Sequence, residues 1–240
     1  MGISQFKTIK TDRLYVKVAD QLNNLIENDV FKPGERFPSE RELAEKLGVS
    51  RPTIREAMIY LEISGVIEIR TGSGIYVAHQ AKKVMGQQAE LDVSQGIGLF
   101  ESLEMRYILE PEMCALAAAR ITDEQIAELR AIIQEMVVEE KSPNPAENAD
   151  RKFHLAIAKA SQNEAIYESI NWLWELRVKS GINSEFLKKI RKEGVHPSIE
   201  EHIKIVNALE QRNPDKARTA MKVHIESSTD NAAEHFGRDA

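Results

Sequence analysis

The chain has 240 residues, of which 42% are hydrophobic, 29% charged and 6% aromatic, and its formal net charge is −6. This balance is typical of a folded globular protein and excludes a disordered or fibrous chain. No apolar run approaches the roughly 18–20 residues that cross a bilayer, and no apolar signal core stands at the N-terminus, so we expect a cytoplasmic protein without a membrane partner.

The acidic charge lies in the C-terminal part. Residues 1–78 carry 11 basic and 11 acidic side chains, whereas residues 79–240 carry 21 basic and 27 acidic ones. A neutral N-terminal part can still hold a local basic face, so the net charge does not exclude nucleic-acid binding.

The N-terminal part predicts three helices. Apolar side chains recur at helical spacing from Tyr15 to Ile26 and define one buried face. Ser39 and Ser50 stand at the starts of two further helical patterns, as N-caps do. The tight turn expected at Gly48 joins these two helices, which predicts a helix-turn-helix unit.

A β-hairpin is predicted after Gly65. The hydrophobic period changes there to two, in VIEIR and IYV, and the glycine-containing loop TGSG separates the two runs. Three helices followed by a hairpin are typical of a winged helix-turn-helix domain, which we place at residues 9–78.

The third predicted helix begins with side chains that destabilise an isolated helix. Arg51, Thr53 and Arg55 crowd the end where the helix dipole is already positive. An anion outside the chain would make this arrangement favourable, since guanidinium groups pair with phosphate or with guanine. The pattern predicts that the helix enters the major groove of DNA, with Arg41 near the backbone. The alternative is an ordinary surface of solvated arginines.

The rest of the chain predicts an all-helical domain. Residues 79–98 are polar, contain glycines and have weak periodicity, so we assign them to a linker. From residue 99 to residue 236 nearly every segment has helical periodicity. Cys114, the single cysteine, lies in an apolar run and is expected to be a small core residue.

Within this domain the individual elements are predicted from caps and breakers. Helices are expected over 146–160 and 164–180, whereas 181–197 is less regular. Pro111 lies inside an apolar helical pattern and is expected to break or kink it. Polar N-caps are expected where three of the helices begin, at Thr122, Ser198 and Asn213.

Four residues of this domain have the chemistry of metal ligands. Asp150 and His154 are four residues apart on one predicted helix, so their side chains share a face. His202 and His224 lie on the last two predicted helices. Three imidazoles and one carboxylate suit Zn²⁺, Ni²⁺ or another first-row divalent ion. By spacing alone, the alternative is four unrelated residues that cap or pack. The other three histidines are expected to be solvated or to lie in turns: His79, His196 and His235.

The segment PGERFPSERELAEKLGVSRPTIREAMIYLEISGVIEIRTGSGIYV resembles the DNA-binding domain of the GntR family of bacterial transcription regulators. The resemblance implies DNA contacts from the second helix, the third helix and the wing, by Arg41, Arg51, Pro52, Thr53, Arg55, Thr71 and Gly72. Pro52 stands where relatives often have a polar residue, and its side chain offers no hydrogen-bond donor.

The all-helical part, with Asp-x₃-His and two later histidines, resembles the FCD effector domain of the FadR branch of that family. The resemblance implies a divalent ion at the bottom of a cavity, foremost Zn²⁺, held by Asp150, His154, His202 and His224. Arg106 matches an arginine that faces this cavity, so it is expected to clamp a carboxylate ligand. The alternative for Arg106 is a surface salt bridge with Glu110.

The segment NWLWELR offers further ligand-binding side chains. Stacking of Trp172 or Trp174 on a sugar is conceivable, as is a contact from Arg177, but helical spacing favours core packing for the tryptophans. Asn163 is expected to be a helix cap rather than a ligand contact.

The leading hypothesis is a homodimeric regulator that binds operator DNA and is controlled by a small carboxylate. Similarity to the regulators of hexuronate catabolism implies a sugar acid or a uronate-derived keto acid, with lactate and citrate as alternatives. We expect a repressor; an activator is the alternative. A metal-dependent enzyme that uses the Asp/His₃ set is the second hypothesis, but the sequence has no HExxH or other catalytic signature. A structural DNA-binding protein without an effector does not explain the helical domain. We therefore expect no enzymatic activity.

Overall fold

The computed structural model describes residues 13–70, 73–85, 97–142 and 148–236. The chain divides into two compact units, the first formed mainly by residues 1–91 and the second by residues 92–238. Among the described residues, no helix combines the length and the apolar character that a membrane span requires.

The first unit consists of three helices and a hairpin, followed by a short helix. Its elements are α1 (Leu14–Glu27), α2 (Glu40–Leu47), α3 (Arg51–Ile63), β1 (Ile67–Arg70), β2 (Gly74–Val77) and α4 (Ala81–Met85). The two strands are antiparallel, with Ile67 opposite Val77. This order confirms the predicted winged helix-turn-helix fold.

Local hydrogen bonds set the ends of α2 and α3. The backbone N–H of Ser39 donates to the Glu42 carboxylate at 2.9 Å, and the backbone N–H of Glu42 donates to the Ser39 hydroxyl at 3.3 Å. Ser50 caps α3 by accepting from the Thr53 N–H at 3.3 Å. Gly48 has φ of +65° and closes the turn between the two helices, as predicted. The enclosed core is fully buried and includes Leu22, Ile26, Ile54, Met58 and Leu61.

The helix α4 lies inside the stretch 79–98 that the sequence assigns to a linker. Its first residue, Ala81, is fully buried, and α4 packs against α1. The start of this stretch is therefore a packed part of the first unit. Residues 86–96, the rest of the expected linker except for its end, lie outside the described residues.

The second unit is all-helical in its described residues, as predicted. Its elements are α5 (Leu99–Arg120), α6 (Asp123–Glu140), α7 (Asn148–Ala160), α8 (Glu164–Lys179), α9 (Gly181–Lys192), α10 (Ile199–Glu210) and α11 (Pro214–Glu234). The long helices α5 and α11 pack along each other, α10 packs on α6 and α11, and α7 packs on α5, α6 and α8. Helix α7 therefore packs against three other helices of this unit.

The structure departs from two expectations about this unit: the helix is not broken at Pro111, and residues 181–197 are not irregular throughout. Pro111 does not end its helix: α5 continues through it, and Pro111 is buried. A proline inside a helix costs about 3 kcal/mol, and packing of an apolar face can offset that cost. The irregular stretch predicted at 181–197 is mostly the helix α9. Ser180 caps it, and Ile182, Phe186 and Ile190 are buried at a spacing of four residues.

Candidate metal centre and candidate DNA-binding surface

The bundle brings the four predicted metal ligands together. Asp150 and His154 come from α7, His202 from α10 and His224 from α11, and all four are buried. Their potential ligand atoms lie within 4.8 Å of one another. Oδ1 of Asp150 is 2.9 Å from Nε2 of His202 and 3.5 Å from Nε2 of His154. Three separate helices thus converge on one buried point.

The Nδ1 atom of each imidazole of this cluster lies next to a different oxygen atom. The partners are Oε2 of Glu110 for His154 at 2.5 Å, the carbonyl oxygen of Ser198 for His202 at 2.8 Å, and Oε2 of Glu201 for His224 at 3.1 Å. An acceptor at Nδ1 fixes the ring orientation and leaves Nε2 with a lone pair. The three rings are therefore arranged to present Nε2 to a common centre.

The charge states of the cluster suit metal binding. Burial lowers the pKa of His224 to about 4, so this imidazole is neutral at pH 7. Burial opposes ionisation of Asp150, but hydrogen bonds from the histidines outweigh it and hold the pKa of this carboxyl well below its usual range. In the same way Arg106 and His154 lower the pKa of the fully buried Glu110 to about 2. The site thus offers a neutral imidazole at His224 together with ionised carboxylates at Asp150 and Glu110.

The residues present fit a divalent first-row ion. Nitrogen and oxygen ligands lie about 2.0–2.2 Å from Zn²⁺, so ligand atoms around one ion are roughly 3–4 Å from each other. The observed spread of at most 4.8 Å requires only a small contraction. His₃Asp is also a donor set that such ions accept.

A cavity of about 60 Å³, partly open to solvent, lies against this cluster. Asp150 belongs both to the cluster and to the cavity wall. Arg106 of α5 and Arg177 of α8 also line the cavity. Arg191 of α9 and several apolar side chains line the cavity as well. A ligand in this cavity would meet cationic side chains beside the cluster.

Arg106 connects the cavity with the histidine cluster. Its Nε donates to Oε1 of Glu110 at 2.7 Å, and its Nη2 is 3.0 Å from Nε2 of His154. The ion pair with Glu110 exists, but both side chains are buried, so the alternative of a surface salt bridge is wrong. The pair lies inside the bundle. Arg106 contacts His154 there, and its guanidinium carbon lies 4.6 Å from the ring centre of Trp174.

The two tryptophans of α8 have different surroundings. Trp174 is buried in the core, as predicted, and its ring centre lies 4.6 Å from the guanidinium carbon of Arg106 and 4.9 Å from that of Arg177. Trp172 is 56% exposed, so core packing was wrong for it. Asn163 caps α8 by accepting from a backbone N–H at 3.3 Å, and Cys114 is a buried core residue, both as predicted.

The histidines outside the cluster are only partly as expected. His79 is exposed, but His196 is half-buried and lines the cavity. His235 is buried rather than solvated: its Nδ1 is 3.0 Å from Glu193, and its ring packs against Phe186. His235 therefore packs on α9, a helix that was not predicted from the sequence.

Two carboxylates of this site were not predicted to belong to it. Glu110 was considered only as a surface partner of Arg106. Glu201 was assigned to a capping box with Ser198, and its N–H does donate to the Ser198 hydroxyl at 3.3 Å. Its carboxylate, however, contacts His224 instead of completing the box. The usable signal was that both residues lie within one helical turn of a predicted site residue.

On the first unit, most predicted DNA-contacting residues lie at the start of α3. Arg51 and Pro52 are exposed, and Thr53 is half-buried; Arg41, on α2, is exposed. The side chain of Arg55 is only 17% exposed. Thr71 and Gly72 lie outside the described residues.

One carboxylate that was not predicted to belong to this surface contacts both arginines of α3. Glu40, the first residue of α2, is 6% exposed. Its Oε2 accepts from Nε of Arg55 at 2.7 Å, and its Oε1 accepts from Nε of Arg51. At the wing, the guanidinium of Arg70 lies 4.4 Å from the ring centre of Tyr76. The basic side chains of this surface are therefore partly ordered by neighbours.

A winged helix-turn-helix unit and a helical bundle with a cavity beside a buried His/Asp cluster define a class of protein, the DNA-binding regulators that carry a sensory domain. Comparison with known proteins agrees with this class. The model of the gntR family of bacterial regulatory proteins matches residues 14–77, and that of the FCD domain matches residues 101–227.

Two related proteins of known role support the same class. The Uxu operon transcriptional regulator of Escherichia coli (strain K12) is 34% identical over 222 residues, which cover 90% of this chain and 85% of that protein. The Exu regulon transcriptional regulator of the same strain is 32% identical over 217 residues, covering 90% and 83%. The structure of Streptococcus agalactiae GntR has 30% identity and a TM-score of 0.44, covering 90% of this chain and 99% of that one.

The chain belongs to the GntR family of bacterial transcription regulators, in the FadR branch with an FCD effector domain. It is similar to regulators of hexuronate operons, as the sequence resemblance implied. It is a DNA-binding transcription regulator and not an enzyme, so the hypothesis of a metal-dependent hydrolase or lyase is set aside.

Proposed function

We propose that this protein represses transcription in the cytoplasm as a homodimer, and that a small carboxylate bound at a divalent ion in the helical unit releases it from its operator. The observation that carries the proposal is the convergence of Asp150, His154, His202 and His224 beside a cavity that Arg106 also lines. A buried ligand set at a cavity wall serves a bound molecule better than it serves stability alone, since buried charges are costly.

The proposed ion is held by the four clustered side chains, and it supplies a fixed positive charge that attracts an anionic ligand group. Zn²⁺ suits the donor set best, with Ni²⁺ or another first-row ion as alternatives. Glu110, Ser198 and Glu201 orient the imidazoles. Arg106 stands beside the donor atoms and provides a second contact for a carboxylate.

A sugar acid or a uronate-derived keto acid is the effector that we propose. The cavity carries arginines from three helices, α5, α8 and α9, as a carboxylate with further polar groups requires. Relatives named as regulators of the Uxu operon and the Exu regulon support this class. Lactate and citrate belong in the same test because their hydroxyl and carboxylate groups offer similar chemistry.

The DNA-binding part of the proposal uses residues of α2, α3 and the wing. They are the exposed or half-buried side chains Arg41, Arg51, Pro52, Thr53 and Arg55, with Thr71 and Gly72 as further contacts. A homodimer would place two α3 helices in successive major grooves, about 34–36 Å apart. The effector releases the operator only if it binds the DNA-bound and free arrangements unequally.

Thermal unfolding with a panel of acids tests this function. The Zn²⁺-loaded protein is melted with hexuronates, keto sugar acids, lactate and citrate, with and without a chelator. An effector at 100 times its Kd should add about 2.7 kcal/mol, which raises the melting temperature of a chain of this size by roughly 5–11 °C. We expect such a shift from a sugar acid and its loss with chelator. A shift that survives chelation would contradict the metal-bound effector, and no shift from any acid would contradict the effector class.

A second prediction concerns the carboxylate behind His224. Glu201→Gln should lower Zn²⁺ affinity about 10–100-fold, because an amide holds the Nδ1–H less well than a carboxylate does. Competition with a chromophoric chelator measures the change. Glu200→Gln is the matched control, because Glu200 is the preceding residue of α10 and its side chain is 82% exposed. Equal affinities of the two variants would contradict the proposed orientation of His224.

A further inference from the structure

Glu40 occupies an unusual position for a carboxylate near a DNA-binding surface. It is the first residue of α2, where a side chain normally faces solvent, yet it is only 6% exposed. A carboxylate near a phosphate-binding surface weakens electrostatic attraction for DNA. We therefore looked for a favourable contribution of Glu40 that could offset the weaker attraction for DNA.

The contacts of Glu40 indicate that role. Each carboxylate oxygen accepts from a different arginine of α3, Oε1 from Nε of Arg51 and Oε2 from Nε of Arg55. An acceptor at Nε fixes the plane of a guanidinium and therefore the directions in which its terminal Nη groups point. The side chain of Arg51 remains 44% exposed, so an outer part of this oriented group faces solvent.

Orientation matters because the arginine contacts expected in a major groove are directional. A bidentate pair with guanine or phosphate requires both N–H groups in one plane, and a free arginine loses conformational entropy when it adopts that plane. The Glu40 carboxylate holds two arginines that are four residues apart on the same helix. Part of their conformational entropy is therefore already lost before the protein binds DNA, which lowers the entropic cost of binding.

We propose that Glu40 is a positioning residue for operator recognition, which orients Arg51 and Arg55 without contacting DNA itself. The inference rests on the proposed function, since it requires these two arginines at the operator. The predicted change in operator affinity on loss of Glu40 is opposite to the change that simple electrostatics predicts. Loss of one negative charge should strengthen binding to every DNA, whereas loss of orientation should weaken binding to the operator in particular.

The test compares specific with non-specific affinity. An operator is first selected from a random duplex pool with the full-length wild-type chain. Dissociation constants for this operator and for a scrambled duplex are then measured by fluorescence anisotropy over a salt series. Glu40→Gln is compared with Glu45→Gln, which removes the same charge from an exposed position of the same helix.

We expect Glu40→Gln to lower the ratio of specific to non-specific affinity by about 10–100-fold, with non-specific binding unchanged or tighter. Glu45→Gln should leave the ratio unchanged. Glu40→Asp, which keeps the charge on a shorter side chain, should recover part of the ratio. If Glu40→Gln behaves like Glu45→Gln, the proposal is overturned.

A purely structural role for Glu40 gives a different result. If both affinities of Glu40→Gln fall by the same factor, together with its melting temperature, the residue only joins α2 to α3, and the proposal is again overturned. Failure of the proposed function is recognised separately. In that case the wild-type chain itself selects no operator from the pool, whatever residue stands at position 40.

Discussion

Replacing His224 with alanine should lower the Zn²⁺ affinity of the protein by a factor on the order of 10²–10³. Four-ligand zinc sites bind with about 10–16 kcal/mol at pH 7, so loss of one ligand removes roughly 3 kcal/mol. His224 is 1% exposed and lies in contact with the rings of His154 and His202, so solvent cannot readily replace it. Competition with a chromophoric chelator at pH 7 measures the loss.

His235→Ala is the control for this experiment. His235 is also a buried histidine of the same unit, 3% exposed and paired with Glu193, but it lies outside the cluster. Its replacement should leave Zn²⁺ affinity unchanged even if it lowers the melting temperature. Equal Zn²⁺ losses in the two variants would show that the effect of His224 comes from general unfolding and would contradict the proposed metal centre.

The same variant has a consequence for regulation. If the ion anchors the effector, His224→Ala should still bind operator DNA, because its own unit contains none of the proposed DNA contacts. It should, however, no longer be released by the sugar acid that releases the wild-type protein. Operator binding measured with increasing effector concentration separates these two properties. Normal release of the variant would place the effector elsewhere in the protein.

Replacing Arg51 with alanine should weaken operator binding by about 5–150-fold, which corresponds to the 1–3 kcal/mol of one bidentate contact. Non-specific binding should fall much less if Arg51 contacts a base. If Arg51 contacts phosphate instead, both affinities should fall and the slope of log K against log salt should decrease by about 1. Arg51 is well placed for either contact because its side chain is 44% exposed at the first turn of α3.

Lys17→Ala supplies the matched control for Arg51. Lys17 is an exposed basic residue of α1 in the same unit, so its replacement removes the same charge without touching α3. We expect a small change in affinity that is the same for the operator and for a scrambled duplex. An Arg51→Ala variant that cannot be distinguished from Lys17→Ala would contradict the assignment of α3 as the recognition helix.

Local sequence signals were sufficient for most helices and for the metal-binding residue types. The capping box of Ser39 and Glu42 and the cap at Asn213 form as predicted, since each depends on residues three positions apart. The spacing of Asp150 and His154 placed them on one helical face for the same reason. These interactions are specified within one helical turn, and the tertiary structure leaves them unchanged.

Contacts between distant helices could not be predicted in this way. Glu201 has a local partner at Ser198, but its carboxylate contacts His224, which is 23 positions away in the chain. Glu110 pairs with Arg106 as its spacing suggested, yet it also holds His154, 44 positions away, and the group is buried. His235 is buried for a similar reason, because Glu193 and Phe186 of a distant segment surround it.

The partners of surface polar side chains can be predicted from the sequence more readily than those of buried ones, for a physical reason. A polar side chain at the surface can satisfy its hydrogen bonds with water, so its nearest neighbour in sequence is a good prediction. When helix packing removes the water, the same side chain must find a protein partner, and a charged one in a low-dielectric interior is favoured. The four metal-binding residue types can thus be recognised in the sequence. The contacts of Glu110 with His154 and of Glu201 with His224 depend instead on which helices pack against α7 and α11.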